Sequence, residues 1–172
     1  MAFTALDVKK LREMTNVGMM DCKKALQATD GDMDAAIDWL REKGLAKAAK
    51  KADRIAAEGV AYATVIDGVG VVIEVNSETD FAAKTDAFMD LVKNLAIVVA
   101  EQNPADVDAL KACTYPGTNL TVTEKMQELV MSIGENMQIR RFSRFAENTS
   151  VAYVHAGGSH GVLVNLAVEG DI

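Results

Sequence analysis

The sequence has no apolar run of about eighteen residues, the length that a membrane-spanning helix needs. Its first segment, MAFTALDVKK, has neither an apolar signal core nor an Arg/Ser-rich leader. Only two cysteines are present, Cys22 and Cys113, and they form no CxxC pattern. We therefore expect a protein of the reducing cytoplasm, without membrane contact. A disulfide between the two cysteines is the alternative that the sequence leaves open.

The common enzyme signatures are also missing. There is no GxxxxGK[ST] phosphate loop, and Gly68-Val69-Gly70 lacks the third glycine of a dinucleotide fingerprint. His155 and His160 stand five residues apart with no cysteine beside them, which is more typical of surface residues than of metal ligands. We therefore predict no catalytic residue, no cofactor and no metal site. A small hydrolase using paired carboxylates stays open as a distant alternative, because acidic residues are plentiful.

The net charge of −7 is unevenly distributed. Residues 1–58 carry 11 Lys/Arg and 10 Asp/Glu, whereas residues 59–172 carry 7 and 15. The acidic part would repel a nucleic-acid backbone, so a protein partner is expected and direct nucleic-acid binding is not. The lysines of residues 45–58 are interpreted as the solvated face of a helix.

Residues 1–44 predict three short helices. The third has an apolar stripe formed by Met33, Ala36, Ile37 and Leu40, and Gly44 is expected to end it. This pattern predicts a three-helix module of the ubiquitin-associated type. Residues 45–58 are rich in strong helix formers and poor in large apolar groups, which predicts a separate connecting helix.

In residues 59–146 the pattern changes from helical spacing alone to strand-like segments followed by helices, which predicts an α+β core subdomain. Asp67-Gly68 between two apolar, alternating segments is a hairpin signal. Thr121 and Glu124 have the spacing of a capping box. The predicted elements are strands at 60–66 and 70–76, a long helix from near Asp80, a second helix from about Thr121 and a strand at 136–145.

One internal repeat is visible at an offset of 91 residues. Val60-Ala61-Tyr62 recurs as Val151-Ala152-Tyr153, and Gly70-Val71-Val72-Ile73 matches Gly161-Val162-Leu163-Val164 without a gap. A second hairpin is therefore predicted from near Ser150. Residues 147–172 are interpreted as the opening hairpin of a second, incomplete core subdomain, so the sequence is interpreted as a fragment or a short version of a longer protein.

Two short segments do not fit a purely structural interpretation. Met19-Met20 places two large flexible apolar side chains in a predicted loop, where they either serve a partner surface or fill the small core. Thr79 or Asp80 is a suitable N-cap, and Phe81 follows at the first turn. Phe81 either extends the apolar stripe of the next helix or projects as an anchor.

Four segments carry a resemblance to a known family. The segments TNVGMMDCKKAL (15–26) and EVNSETDFAAK (74–84) resemble the two signatures of the elongation factor Ts family. KAAKKA (47–52) and IGENMQIRR (133–141) are similar to further family segments in the same order. The resemblance covers essentially the whole chain, and two long motifs at the right separation are far more specific than a lone pattern.

The resemblance implies an exchange factor that promotes GDP release from the GTPase elongation factor Tu. In the family, the element that matches Thr79, Asp80, Phe81 and Ala82 disturbs the magnesium site of Tu. The aromatic residue that matches Phe81 inserts between helices of the GTPase domain. GDP and magnesium are thus expected on the partner.

The resemblance also implies docking residues outside that element. Positions matching Arg12, Met19 and Met20 dock the N-terminal module on the GTPase domain of Tu. His155 belongs to the hairpin of the second core subdomain, which contacts another domain of Tu. Self-association is left open, because the later elements of longer members are missing. The alternative function is a ubiquitin-associated-like interaction module that binds another helical partner through Met19 and Met20.

Overall fold

The computed structural model describes residues 3–167 and residue 169. These residues form α-helices and antiparallel strands, which confirms the predicted α+β class. They divide into two compact units. The first unit takes in the chain up to Asp53 together with Gln127–Gly134, and the second takes in Arg54–Met126 and the chain from Glu135 onward. Within the described ranges, none of the helices is both long enough and apolar enough for a bilayer span.

The elements follow one another along the chain as helices, a hairpin, further helices and three strands. The helices are α1 (Ala5–Thr15), α2 (Met19–Ala28), α3 (Met33–Lys51), α4 (Asp80–Ala83), α5 (Asp86–Gln102), α6 (Val107–Ala112) and α7 (Val122–Ile133). The strands are β1 (Glu58–Ile66), β2 (Val69–Ser77), β3 (Met137–Phe145), β4 (Thr149–His155) and β5 (His160–Leu166).

The first unit is built from α1, α2, α3 and the second half of α7. Thr4 begins α1 through a capping box with Asp7, and Asn16 ends it in the left-handed conformation at φ 53°. Asp32 caps α3 by accepting from the Ala35 amide. One small core joins these helices; its buried residues are Val8, Leu11, Val17, Cys22, Ala25, Leu26, Ala36, Leu40 and Met131.

Gly44 does not end the third helix, and the prediction of a separate connecting helix over 45–58 is wrong. Helix α3 continues through Gly44 to Lys51, and β1 already begins at Glu58. The reason is packing: a Cβ at position 44 would lie 2.9 Å from the sulfur of Met131. Gly44 is thus buried against α7, and the helix needs no stop there because alanines and lysines continue it.

The second unit contains an antiparallel sheet of order β1-β2-β3. Asp67 and Gly68, with φ 49° and 82°, form the predicted two-residue turn between β1 and β2. Val71, Ile73 and Val75 are fully buried on the face of β2 that packs against α5. The predicted stripe of α5 is buried as well, and its residues are Phe88, Leu91, Val92, Leu95, Val98 and Val99.

The single helix predicted from near Asp80 is two helices. Thr85 accepts a hydrogen bond from the Phe88 amide at 3.3 Å and so begins a new helix, α5, directly after α4. Helix α6 was not predicted. The capping box of α7 is confirmed, because the Thr121 amide and hydroxyl both donate to Glu124 Oε2, at 2.7 and 2.8 Å.

The second hairpin, β4–β5, is present as the repeat predicts. It packs on the face of the β1-β2-β3 sheet opposite α5. A Cβ at Gly70 would meet the Ser150 side chain at 2.4 Å, and one at Gly161 would meet the Ala61 backbone at 2.9 Å. Gly70 and Gly161 therefore permit the close approach of the two layers.

The two hairpins differ in their turns. In the first, Ile66 lies opposite Val69 across two turn residues; in the second, His155 lies opposite His160 across four. Relative to the sequence repeat, the pairing of β4 with β5 is therefore shifted by two residues. Because side chains alternate with a period of two, the shift keeps each residue on its original face.

The side of the β4–β5 hairpin that points away from the sheet is apolar and exposed; we call it the outer face. Val162, Val164 and Leu166 are 46%, 46% and 52% exposed, although the repeat matches them to the fully buried positions of β2. The residues of the outer face are Val151, Tyr153, Val162, Val164 and Leu166.

Candidate functional site

The candidate site is the turn that joins β2 to α5 in the second unit. Strand β2 ends at Ser77, and the four-residue helix α4 begins at Asp80. Thr79 is the N-cap, with extended backbone angles, and its hydroxyl accepts from the Ala82 amide at 3.3 Å. One of the two predicted caps, Thr79, therefore holds the start of the helix.

Helix α4 turns one apolar side chain outward and two inward. Phe81 is 81% exposed, whereas Ala82 and Ala83 are buried at 4% and 3%. Phe81 therefore projects from the molecule and does not extend the stripe of α5, which settles the alternative that the sequence left open. Among the aromatic residues that the structure describes, Phe81 is the most exposed.

Asp80 lies beside the exposed ring and is paired within its own turn. Its Oδ2 accepts from Lys84 Nζ at 2.6 Å. This hydrogen bond lowers the pKa of Asp80 below its ordinary value, so the carboxylate is ionised at neutral pH. The pair is exposed and contributes little to stability, but it places a negative charge next to Phe81.

Thr79 is also held from a distant part of the chain. Its amide donates to Glu135 Oε2 at 3.0 Å, and its hydroxyl donates to Glu135 Oε1 at 2.7 Å. Sequence reasoning missed Glu135, although it lies inside the segment 133–141 that resembles the family. A contact across 56 residues leaves no local signal in a sequence.

The residues next to Thr79 and Glu135 also join the same two segments by hydrogen bonds. The Asn136 amide donates to Glu78 Oε1 at 2.6 Å, and the Asn136 side chain donates to the Arg54 carbonyl at 2.8 Å. Ser77, which is fully buried, donates its hydroxyl to the Thr79 carbonyl at 2.9 Å. The segment 77–79 is thus fixed by side chains on both sides before α4 begins.

A second group of predicted residues lies in the first unit. Arg12 is exposed on α1, and Met19 and Met20 are the first two residues of α2, not loop residues as predicted. Met19 is 43% exposed and Met20 is 65% exposed, so the alternative that they fill the core is wrong. Val17, just before them, is the residue that enters the core.

Comparison with known proteins identifies the family to which the chain belongs. The family model described as "Elongation factor TS" matches residues 78–171, which is more than half of the chain and begins at the candidate site. The chain belongs to the elongation factor Ts family.

Curated members of the elongation factor Ts family match almost the whole chain. The chain is 51% identical to elongation factor Ts of Magnetococcus marinus over 96% of its length, 51% identical to that of Trichlorobacter lovleyi over 98%, and 50% identical to that of Methylocella silvestris over 98%. These matches cover 55%, 56% and 56% of the three relatives. The chain therefore spans about half the length of the curated relatives it matches.

His155, the remaining residue that the elongation factor Ts resemblance implicates, lies at the end of β4. It is exposed, its Nδ1 lies 2.9 Å from the Tyr153 hydroxyl, and its ring lies 6.0 Å from that of His160. Among residues 3–167 and 169, no three His, Cys, Asp or Glu side chains are grouped as metal ligands would be. Both cysteines are free thiols, so the disulfide that the sequence left open is not formed.

Proposed function

We propose that the chain binds elongation factor Tu in the cytoplasm and promotes the release of GDP, so that GTP can enter. This activity makes and breaks no covalent bond in the chain itself, and nucleotide and magnesium belong to the partner. The names of the curated relatives support the proposal. The family match also supports it, because that match begins at Glu78 and includes all of α4.

The observation that carries the proposal is the exposure of Phe81 on a fixed turn. Burying a phenylalanine side chain yields about 1.5–3 kcal/mol, and an exposed ring keeps that free energy available for a complex. A ring on a segment that is already ordered loses little conformational entropy on binding. Phe81 can therefore act as a wedge that enters a helical partner.

Reciprocal coupling explains how a wedge can release a nucleotide. If the chain weakens GDP binding to Tu by some factor, GDP weakens binding of the chain by the same factor. The wedge must therefore make contacts that the GDP-bound state does not allow. Magnesium requires near-octahedral ligation and bridges protein to phosphate, so small movements of its ligands loosen the nucleotide.

The first unit supplies the second part of the proposed surface. We propose that its three helices act as a ubiquitin-associated-like module that docks on the GTPase domain of Tu through Arg12, Met19 and Met20. The exposure of both methionines supports this role, because methionine adapts its shape to a partner surface.

The later part of the chain is proposed to extend the contact. We propose that residues 59–146 form the first core subdomain, and that residues 147–172 open a second one whose hairpin brings His155 to another domain of Tu. The repeat at an offset of 91 residues supports this division.

The proposal is tested by measuring release of a fluorescent GDP derivative from purified Tu, with excess unlabelled GDP and increasing amounts of the chain. We expect the rate of release to rise with chain concentration and to saturate. Excess magnesium should reduce the acceleration if the chain acts on the magnesium site. An unchanged rate at all concentrations, with the chain folded by circular dichroism, would contradict the proposal.

A further inference from the structure

Two consecutive residues between β2 and α4, Glu78 and Thr79, form hydrogen bonds with two consecutive residues just before β3, Glu135 and Asn136. Glu135 accepts from the Thr79 amide, and Glu78 accepts from the Asn136 amide, at 3.0 and 2.6 Å. Each segment thus gives one carboxylate to a backbone N–H of the other. Hydrogen bonds to ionised acceptors are about twice as strong as neutral ones, so this crossed pair fixes the two backbones together.

The bond from the Thr79 hydroxyl to Glu135 has a further effect on α4. A threonine hydroxyl has one proton to donate and two lone pairs to accept with. The proton is directed to Glu135 Oε1 at 2.7 Å, which leaves a lone pair for the Ala82 amide at 3.3 Å. The carboxylate of Glu135 therefore orients the hydroxyl in the way that an N-cap requires.

Helix α4 depends on this cap more than a longer helix would. It has only four residues, and a single turn fixes several backbone angles for very few hydrogen bonds. Phe81 is the second residue of this turn and is exposed, so little side-chain packing restrains the direction in which it points. The cap and its carboxylate thus fix the backbone from which the ring projects.

We propose that Glu135 is a positioning residue for nucleotide exchange: it locks Thr79 as the cap of α4 and so fixes the direction from which Phe81 enters Tu. The inference rests on the proposed function. Glu135 is not required to touch Tu or the nucleotide, because its effect passes through Thr79 to Phe81. Glu135 is partly exposed, and its contribution is to preorganise the turn before binding.

The test uses the whole chain in the GDP-release assay with Tu, comparing the parent, Glu135→Gln, Phe81→Ala and the double variant. A glutamine keeps the size of the side chain but loses the charge and one of the two acceptors. We expect Glu135→Gln to lower the maximal rate on the order of tenfold, as for one lost charge-assisted hydrogen bond, with a smaller change in the half-saturating concentration. In the Phe81→Ala background, Glu135→Gln should have no further effect.

The matched control is Glu124→Gln. Glu124 accepts from the amide and the hydroxyl of Thr121, as Glu135 does from Thr79, but it caps α7. This variant should lose a comparable cap and yet exchange nucleotide at the rate of the parent. A second readout needs no Tu: the Thr79 amide should exchange with deuterium faster in Glu135→Gln than in the parent.

The outcomes separate the two proposals. A parent chain that does not accelerate GDP release contradicts the proposed function, and the positioning role falls with it. If the parent is active and Glu135→Gln is equally active, only the positioning role is overturned. The same holds if Glu135→Gln slows GDP release by the same factor in the Phe81→Ala background as in the parent. If Glu135→Gln is unfolded at the assay temperature, Thr79→Val is used instead, because it removes the hydroxyl that donates to Glu135. Thr79→Ser, which keeps a hydroxyl, should then release GDP faster than Thr79→Val, and equal rates for the two variants would overturn the positioning role.

Discussion

Phe81 and Phe88 lie seven residues apart on consecutive helices and have opposite surroundings, since Phe81 is 81% exposed and Phe88 is fully buried. The matched pair Phe81→Ala and Phe88→Ala should therefore separate function from stability. Phe81→Ala should change the free energy of unfolding by less than about 0.5 kcal/mol and greatly slow GDP release from Tu. Phe88→Ala should cost about 3–5 kcal/mol of stability.

Denaturant unfolding and the fluorescent GDP assay measure these two quantities on the same samples. The wedge role of Phe81 is refuted if Phe81→Ala exchanges nucleotide like the parent. Marked destabilisation by Phe81→Ala would instead show that the ring packs in solution.

The methionines of α2 should contribute to Tu binding and not to folding. Met19→Ala and Met20→Ala should each leave the melting temperature nearly unchanged, because neither side chain belongs to the buried core. At least one of them should weaken binding to nucleotide-free Tu by about 1–4 kcal/mol in titration calorimetry. Met14→Ala is the control, since Met14 is 54% exposed on α1. Equal affinities for the parent and both α2 variants would remove this loop-to-helix junction from the proposed interface.

Gly44→Leu should destabilise the first unit through packing alone. Leucine is a good helix former, so propensity favours the change, but its side chain would meet the sulfur of Met131. We expect a loss of about 1–3 kcal/mol by thermal unfolding. Met131→Ala makes room, so the double variant should lose less than the sum of the single losses. Additive losses would mean that the two positions are not in contact.

The thiol of Cys22 should make stability depend on alkaline pH. Burial raises the pKa of Cys22, so the folded chain keeps a proton that the unfolded chain releases. The contribution is complete below the unfolded pKa of about 8.5 and is lost as pH rises through the folded pKa. The stability advantage of the parent over Cys22→Ala should thus shrink between pH 8 and 10. A constant difference across that range would show that the thiol ionises equally in both states.

Local sequence signals predicted most of the elements, and long-range packing decided the rest. Asp67-Gly68 and the Thr121–Glu124 box specify a turn and a helix start within a few residues, and both are present. Gly44 was wrongly interpreted as a helix end because the reason for its missing side chain lies on α7. The break between α4 and α5 depends on the cap by Thr85, which a continuous helical pattern concealed.

The residues of the candidate site also divide into those with a local sequence signal and those placed by long-range contacts. The sequence names Phe81 and the cap candidates Thr79 and Asp80, because these residues are neighbours in one motif. Glu135 was not predicted, because a carboxylate after a glycine has no pattern that points to a threonine 56 residues away. The exposure of Phe81 could not be derived either, since its spacing from Phe88 also suits a buried stripe.

The longer turn of the second hairpin changes which residues of the repeat form the turn and which form the strands. Two residues that belong to strands in the first copy belong to the turn in the second, and the strand pairing slid by the same number. A slide of one residue would have moved the apolar side chains of the outer face to the side where Gly161 packs, and Gly161 to the outer face. Because the slide is even, Gly161 still faces the first hairpin, as its counterpart Gly70 faces the second.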